Sequence, residues 1–299
     1  PIQFLRRTVF CCLGQSVNTS FLSPYLNSLD SNFANGVNFA VVGSSTFPKS
    51  VPFSLNIQVM QFLYFKTRSL ELTASGSKAL INNEGFQAAL YMIDIGQNDL
   101  ADSFAKQSYA QVIKTIPYVV SEIKNAVKSI YYEGGRNFWI HNTGPLGCLP
   151  QKLSSAGKNA SDDVDSHGCL SSYNEAARLF NDVLFRSCEE LKSQLSDVAI
   201  VYVDVFSIKY DLIANASNYG LPSPLMACCG HGGPPYNYDA NITCGNAGHD
   251  VCSKASVSWD GIHYSEAANS IAASHVLSKV YSIPPTPFNF FLSMMVLAC

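Results

Sequence analysis

The sequence predicts an α/β protein built on a mainly parallel sheet with helices on both faces. Three features carry that expectation. Short apolar runs alternate with longer segments whose apolar residues recur at helical spacing. The runs are almost continuously apolar, as strands buried on both faces are. The 299 residues, 47% of them hydrophobic, suffice for a sizeable core, and no internal repeat or long linker divides them.

The elements follow in order. Leu55, Val59, Phe62 and Leu63 share one helix face. Ala88 to Ile95, ended by Gly96, reads as a buried strand. Ile116, Val119, Val120, Ile123, Val127 and Ile130 make a helical stripe, with Pro117 in its first turn and Gly134-Gly135 as its stop. Asn137 to Ile140 is a second strand, running into a Gly/Pro loop, Asn142 to Pro150. Leu170, Tyr173, Ala177, Phe180, Leu184, Cys188 and Leu191 form the next helical face. Val198 to Phe206 is a third strand, and a last helix covers Ala267 to Tyr281. Strands separated by helices run parallel through right-handed crossovers, so sites are expected in the loops at their carboxyl ends.

Composition narrows the function. Charged residues are 14%, with 19 Lys+Arg against 22 Asp+Glu and a net charge of -3, which excludes an electrostatic nucleic-acid binder. An aromatic content of 12% argues against disorder. Ten cysteines and Asn-x-Ser/Thr sequons at Asn18, Asn159, Asn215 and Asn241 point to an oxidising, secretory route. Cys188, inside an apolar stripe, reads as a buried free thiol. Pro1 opens the chain without a signal peptide, because Val9 to Leu13 is too short an apolar patch, so a truncated start is expected. Phe288 to Cys299 is apolar but shorter than the roughly 20 residues that cross a bilayer.

Three segments could do chemistry. In Trp259-Asp260-Gly261-Ile262-His263, an Asp three residues before a His can hold the ring's Nδ1 and leave Nε2 as a base. A capping Asp beside a surface His is the commoner use of that spacing. In Gly96-Gln97-Asn98-Asp99, Asn98 could donate to an oxyanion, or the segment could simply be a turn. In Phe39 to Ser45, Gly43 lets its backbone N–H approach a substrate closely. His141 and Asn142, at a strand end, either line a pocket or shape the loop. Cys228, Cys229, His231, Cys244, His249 and Cys252 lie close in sequence, but the CxxC pairs of a zinc ribbon are absent.

Taken in order, these segments resemble the plant-type GDSL esterases/lipases of the SGNH hydrolase superfamily, with the nearest likeness to a subgroup of early-nodulin-like and fucosidase-named members. The likeness rests on NFAVVGSST (Asn38 to Thr46), IDIGQNDL (Ile93 to Leu100) and FWIHNTGPLGCLP (Phe138 to Pro150). It continues through ACCGHGGPPYNYDANITCG (Ala227 to Gly245) and VSWDGIHYSEAAN (Val257 to Asn269). It divides the chain into a non-family segment 1–21, one hydrolase domain 22–291 and an apolar tail 292–299.

The resemblance implies a flavodoxin-like three-layer α/β/α sandwich. It implies His263 as base, Asp260 as its partner, and Gly43 and Asn98 as oxyanion donors. It implies no cofactor or metal. Cysteine pairs such as Cys148–Cys169, and at least one bridge within 228–252, are expected instead, with connectivity open. The family nucleophile is the Ser of a Gly-Asp-Ser near the mature N-terminus. No Gly-Asp-Ser occurs in these 299 residues. Ser16, after Gly14-Gln15, lacks the Asp, so no nucleophile is assigned and the first strand is expected to be missing. The implied activity is carboxylic-ester hydrolysis, by a secreted monomer without a transmembrane segment, on small-molecule or polymer-bound esters. The alternative is an inactive homologue or partial gene product with at most a binding role.

Overall fold

A computed structural model describes residues 22–27, 29, 31–49, 51–156, 163–287 and 296–298. The segment 1–21 (with Ser16 and the Asn18 sequon), the Asn159 sequon and the rest of the tail lie outside the described residues.

Two compact units are present. The first comprises described residues within 17–143, 179–204 and 282–299. It holds a seven-stranded sheet. The strands are β1 (Ser23–Pro24), β2 (Gly36–Asn38), β3 (Leu90–Ile93), β4 (Asn137–His141), β5 (Ala199–Val203), β8 (Ser282–Ile283) and β9 (Val296–Ala298). Their order is β1-β2-β9-β3-β4-β5-β8, and every pair is parallel except β5 with β8. Register pairs Ile93 with Ile140 and His141 with Val203. The segment Val296–Ala298 therefore lies inside the sheet, between β2 and β3.

The helices of this unit are α1 (Leu55–Ala74), α2 (Asn83–Ala88), α3 (Gln97–Lys106) and α4 (Tyr109–Tyr132), with α6 (Ser171–Gln194) from residue 179 onward. Helices alternate with parallel strands, which is the α/β/α arrangement expected. Packing is aromatic. Phe62 meets Phe39, Phe86 and Tyr91 edge-on, and Tyr91 stacks on Phe138 at 5.5 Å. All five rings are buried, each contributing about 1.5–3 kcal/mol.

Several boundaries differ from the expectation, for local reasons. Residues 83–88 form α2, because Asn82 caps it by accepting the Gly85 N–H at 2.9 Å, so the strand begins only at Leu90. The third strand ends at Val203. Pro117 lies well inside α4 rather than in its first turn: a Ser108/Gln111 capping box starts that helix upstream, at Tyr109. The six apolar residues of the α4 stripe are nonetheless buried. On α1, Leu63 is only half-buried, and Phe65 takes the core position.

The second unit comprises described residues within 144–178 and 205–281. It holds α5 (Pro150–Ala156), the start of α6, α7 (Val205–Ala214), α8 (Glu266–Leu277) and a small antiparallel pair, β6 (Cys229–Gly230) with β7 (Asp250–Val251). The last helix thus closes at Leu277, short of the expected Tyr281, with Ser278 as its cap. Among the described residues three disulfides lace this unit: Cys148–Cys169, Cys228–Cys252 and Cys229–Cys244. Cys188, on α6, is free and buried, and burial pushes its thiol up to about 12. No helix among the described residues is long and apolar enough to cross a membrane.

Candidate active site

The loop before α8 brings Asp260 and His263 together. Asp260 Oδ2 lies 2.7 Å from His263 Nδ1. Asp260 Oδ1 accepts the backbone N–H of Ile262 at 2.9 Å and of His263 at 2.7 Å. One carboxylate thus shapes the turn and orients the ring. Gly261 is required between them: its φ is +92°, and a Cβ there would lie 2.4 Å from Tyr238 Cδ2. Ser265 then caps α8 by accepting the Ala268 N–H.

The loop is braced from outside. Gln151 N–H donates to Gly261 O at 3.0 Å, Cys228 N–H to Ser258 O at 3.0 Å and Cys229 N–H to Trp259 O at 2.6 Å. Both cysteines are bridged, so two disulfides anchor the backbone beside the loop.

Electrostatics follow from the pairing. The hydrogen bond to Asp260 raises the His263 imidazole above its ordinary value, against burial and the Lys209 charge. Burial would raise Asp260, but the bonds from His263 and from the Ile262 N–H outweigh it, and the carboxyl sits below its ordinary value. With Nδ1 committed to Asp260, Nε2 is the nitrogen left for proton transfer. The His263 side chain is 46% exposed. The space beside it within this unit is about 10 Å³, on the order of one water.

Gly43 and Asn98 lie in the sheet-bearing unit, Gly43 in the loop after β2 and Asn98 in the first turn of α3, after β3. Gly43 adopts φ +77°, and a Cβ would stand 3.0 Å from Val51 Cγ2. Asn98 Nδ2 donates to Ser44 O at 2.8 Å. An Asn amide has two N–H groups, so the second remains for another acceptor. Ser44 is itself held, its Oγ donating to Phe53 O and accepting from Gln58 Nε2. Gly96 leads into α3 with φ +117° and ψ −21°. A cleft of about 370 Å³ opens beside α3, with Asp99, Lys49, Lys106, Phe47 and Tyr118 in its walls.

Within each unit, then, the residues singled out in sequence meet: Asp260 with His263, and Asn98 with the segment directly after Gly43. The other residues singled out in sequence are placed as follows. Asn142 shapes the strand end, since its Nδ2 donates to Tyr202 Oη at 2.9 Å and Asp204 Oδ1 at 2.8 Å. His141 is buried, with Nδ1 3.6 Å from Asp94 Oδ2. Cys148 is bridged and holds no free thiol. Cys228, Cys229, Cys244 and Cys252 are all in disulfides. Among the described residues no group of three or more His, Cys, Asp or Glu could hold a metal ion.

Sequence reasoning passed over Asp99 and Thr46. Asp99 is 1% exposed and accepts from Thr46 N at 2.9 Å and Thr46 Oγ1 at 2.8 Å. Burial pushes the Asp99 carboxyl above its ordinary value, although the Thr46 bonds and the nearby Lys49 oppose that rise. No signal in the sequence marks Asp99, because an acid in the first turn of a helix ordinarily reads as solvated.

The GDSL-like Lipase/Acylhydrolase family model matches residues 13–276. The chain belongs to the GDSL esterase/lipase family. It is 60% identical over 292 residues to GDSL esterase/lipase At1g09390 of Arabidopsis thaliana, an alignment that covers 95% of this chain and 78% of that one. It is 60% identical over 286 residues to GDSL esterase/lipase LIP-4 of the same plant, covering 93% and 76%. A relative named Alpha-L-fucosidase 3, also from Arabidopsis thaliana, is 43% identical over 286 residues, covering 88% and 76%. The GDSL family comprises hydrolases acting on ester bonds, and both the fold class and the resemblance read in the sequence are those of this family.

Proposed function

We propose that this chain supplies the acid–base pair and the oxyanion donors of a serine-type carboxylic-ester hydrolase. The observation that carries the reading is the 2.7 Å contact between Asp260 Oδ2 and His263 Nδ1, made by a carboxylate whose other oxygen is already fixed by two backbone N–H groups. His263 Nε2 takes the proton of the attacking hydroxyl, and Asp260 stabilises the resulting imidazolium. The Gly43 N–H and the second Asn98 Nδ2–H hold the oxyanion of the tetrahedral intermediate. His263 then protonates the leaving alkoxide, and water repeats the cycle on the acyl-enzyme. The substrates are acyl or acetyl esters of small molecules or polymers.

The three disulfides support a secreted protein, and the exposed Asn215 and Asn241 sequons support a glycosylated one. We propose that it acts as a monomer, with a hydrolase region over 22–291 flanked by segments 1–21 and 292–299.

One observation keeps a second reading, that of an inactive homologue or partial gene product with at most a binding role: the 299 residues contain no Gly-Asp-Ser. Loss of a serine nucleophile costs on the order of 10⁶ in kcat where it has been measured, and oxyanion binding alone retains only a small part. Hydrolysis of p-nitrophenyl acetate by the 299-residue chain, and by the same chain carrying an added N-terminal Gly-Asp-Ser strand, decides. The proposed reading expects activity only in the extended chain, abolished by His263→Ala. A folded but inert extended chain overturns the site assignment. Activity in the short chain that His263→Ala removes shows that a nucleophile is present after all.

A further inference from the structure

We infer that Asp99 is a positioning residue, a buried latch that holds the loop carrying Gly43 against the first turn of the helix carrying Asn98. Its catalytic meaning rests on reading Gly43 and Asn98 as oxyanion donors; the latch itself does not.

An acid in the first turn of a helix ordinarily points to solvent, where it complements the helix dipole. Asp99 does the reverse and is almost wholly buried. A buried carboxylate is tolerated only when its oxygens are satisfied. Thr46 does this twice, its N–H donating to Oδ2 at 2.9 Å and its Oγ1 to Oδ1 at 2.8 Å. Lys49 Nζ adds a charge 3.8 Å from Oδ1.

These bonds complete a clamp. Asn98 donates to Ser44 O, and Asp99 accepts from Thr46, so adjacent helix residues grip the loop on either side of Ser45. The far side of the loop is tied to α1 by Leu55 N–H donating to Ser45 O at 3.0 Å and by Gln58 on Ser44. Gly43 directly precedes the clamped residues. Its position relative to Asn98 is set by bonds from residues 44 and 46, and without Asp99 the outer of the two grips is gone.

The chemistry demands a carboxylate. The Thr46 N–H lies 2.9 Å from Oδ2 and 3.2 Å from Oδ1, and Oγ1 donates to Oδ1, so both oxygens facing Thr46 act as acceptors in the observed bonds. In Asp99→Asn one oxygen becomes an NH₂ donor; at the Oδ2 place it faces the Thr46 N–H, which keeps only its longer approach to the remaining oxygen. Thr46→Val deletes the hydroxyl bond at nearly constant volume, and Thr46→Ser keeps both bonds.

The test is amide hydrogen exchange on the 299-residue chain, read by NMR without substrate. In Asp99→Asn the amides of Ser44, Ser45 and Thr46 are expected to exchange at least tenfold faster. The Asn98 side-chain amide resonances shift, while the strand amides of Tyr91 and Trp139 keep their protection. Thr46→Val loosens the same loop to a smaller degree, and Thr46→Ser behaves as the native chain. Unchanged exchange at 44–46, or equal acceleration at Tyr91 and Trp139, overturns the latch. If Asp99→Asn fails to fold, the Thr46 pair decides: a Val variant as protected as the Ser variant overturns it. An inert Gly-Asp-Ser-extended chain together with a loosened Asp99→Asn loop would instead refute the donor reading and leave the latch standing.

Discussion

Gly96→Ala isolates what one backbone position does for the site. Gly96 is the hinge between β3 and α3, at φ +117° and ψ −21°, a region that a residue with a Cβ enters only under strain. That strain costs about 1–3 kcal/mol. A Cβ would also lie 2.4 Å from Phe180 Cζ and 2.9 Å from Cε2. Phe180 is fully buried on α6 and cannot swing into solvent, so the clash is met by displacing packed atoms, at about 1–3 kcal/mol more. The sum is roughly 2–6 kcal/mol, which at ~2–4 °C per kcal/mol lowers Tm by roughly 4–24 °C. Gly76→Ala is the internal control, because Gly76 also has positive φ, at +97°, but a Cβ added there would meet nothing within 4 Å. Thermal melts followed by circular dichroism therefore separate strain from clash. Gly96→Ala should melt well below Gly76→Ala, and adding Phe180→Leu should recover part of that gap but not the strain. Equal melting of the two alanine variants would refute the steric argument.

Three further outcomes follow from the same geometry. An NMR titration should show His263 losing its proton above the ordinary 6.5, and Asp260→Asn should bring that midpoint down; no movement would mean the pair is not formed in solution. Linkage fixes the sign for stability. The raised His263 stabilises fully below about 6.5 and loses its share as pH rises through the folded midpoint. The depressed Asp260 stabilises above about 3.8 and loses its share as pH falls through its own, so native minus Asp260→Asn stability should peak between those limits in chemical denaturation. Replacing Cys229 and Cys244 together by Ser opens a loop of separation 15 and should cost about 3 kcal/mol in a denaturant melt. It should also speed exchange of the Trp259 and Gly261 amides, whose loop Cys229 N–H supports.

Long apolar stripes were the part of the fold that sequence made legible. The α4 stripe from Ile116 to Ile130 is core, as are Ala177, Phe180, Leu184, Cys188 and Leu191 of α6, because a buried helix must repeat its apolar residues at 3.6; Tyr173 is only half-buried and Leu170 precedes the helix. Strands were found where a run was continuously apolar, and blurred where a helix adjoined it without a break, as at Ala88 and at Val205. Two-residue strands such as Ser23–Pro24 and Ser282–Ile283 carry no period at all. The place of Val296–Ala298 between β2 and β3 is a long-range pairing, and an apolar tail does not encode which strands it will join.

The site divides along the same physical line. Asp260 and His263 meet because three residues of turn suffice to fold the carboxylate onto the ring, so their spacing was informative before any coordinates. Asn98 and the Gly43 loop meet across a sequence separation of 54 at the Ser44 contact, and only pairing of the sheet brings them together. What sequence had no means of showing was the direction of Asp99. Its neighbours Asn98 and Leu100 sit on different faces of the helix end, and an acid there reads as solvated until the buried Thr46 donors are seen to need it. The functional consequence is that the His263 loop and the Gly43 loop, each within its own unit, are stiffened by different means. The His263 loop is braced by covalent bridges through Cys228 and Cys229, and the Gly43 loop by hydrogen bonds to a buried charge. Reduction should therefore loosen the first and leave the second, whereas Asp99→Asn should do the opposite. Exchange at Gly261 and Thr46, measured in the same sample with and without reductant, distinguishes them directly.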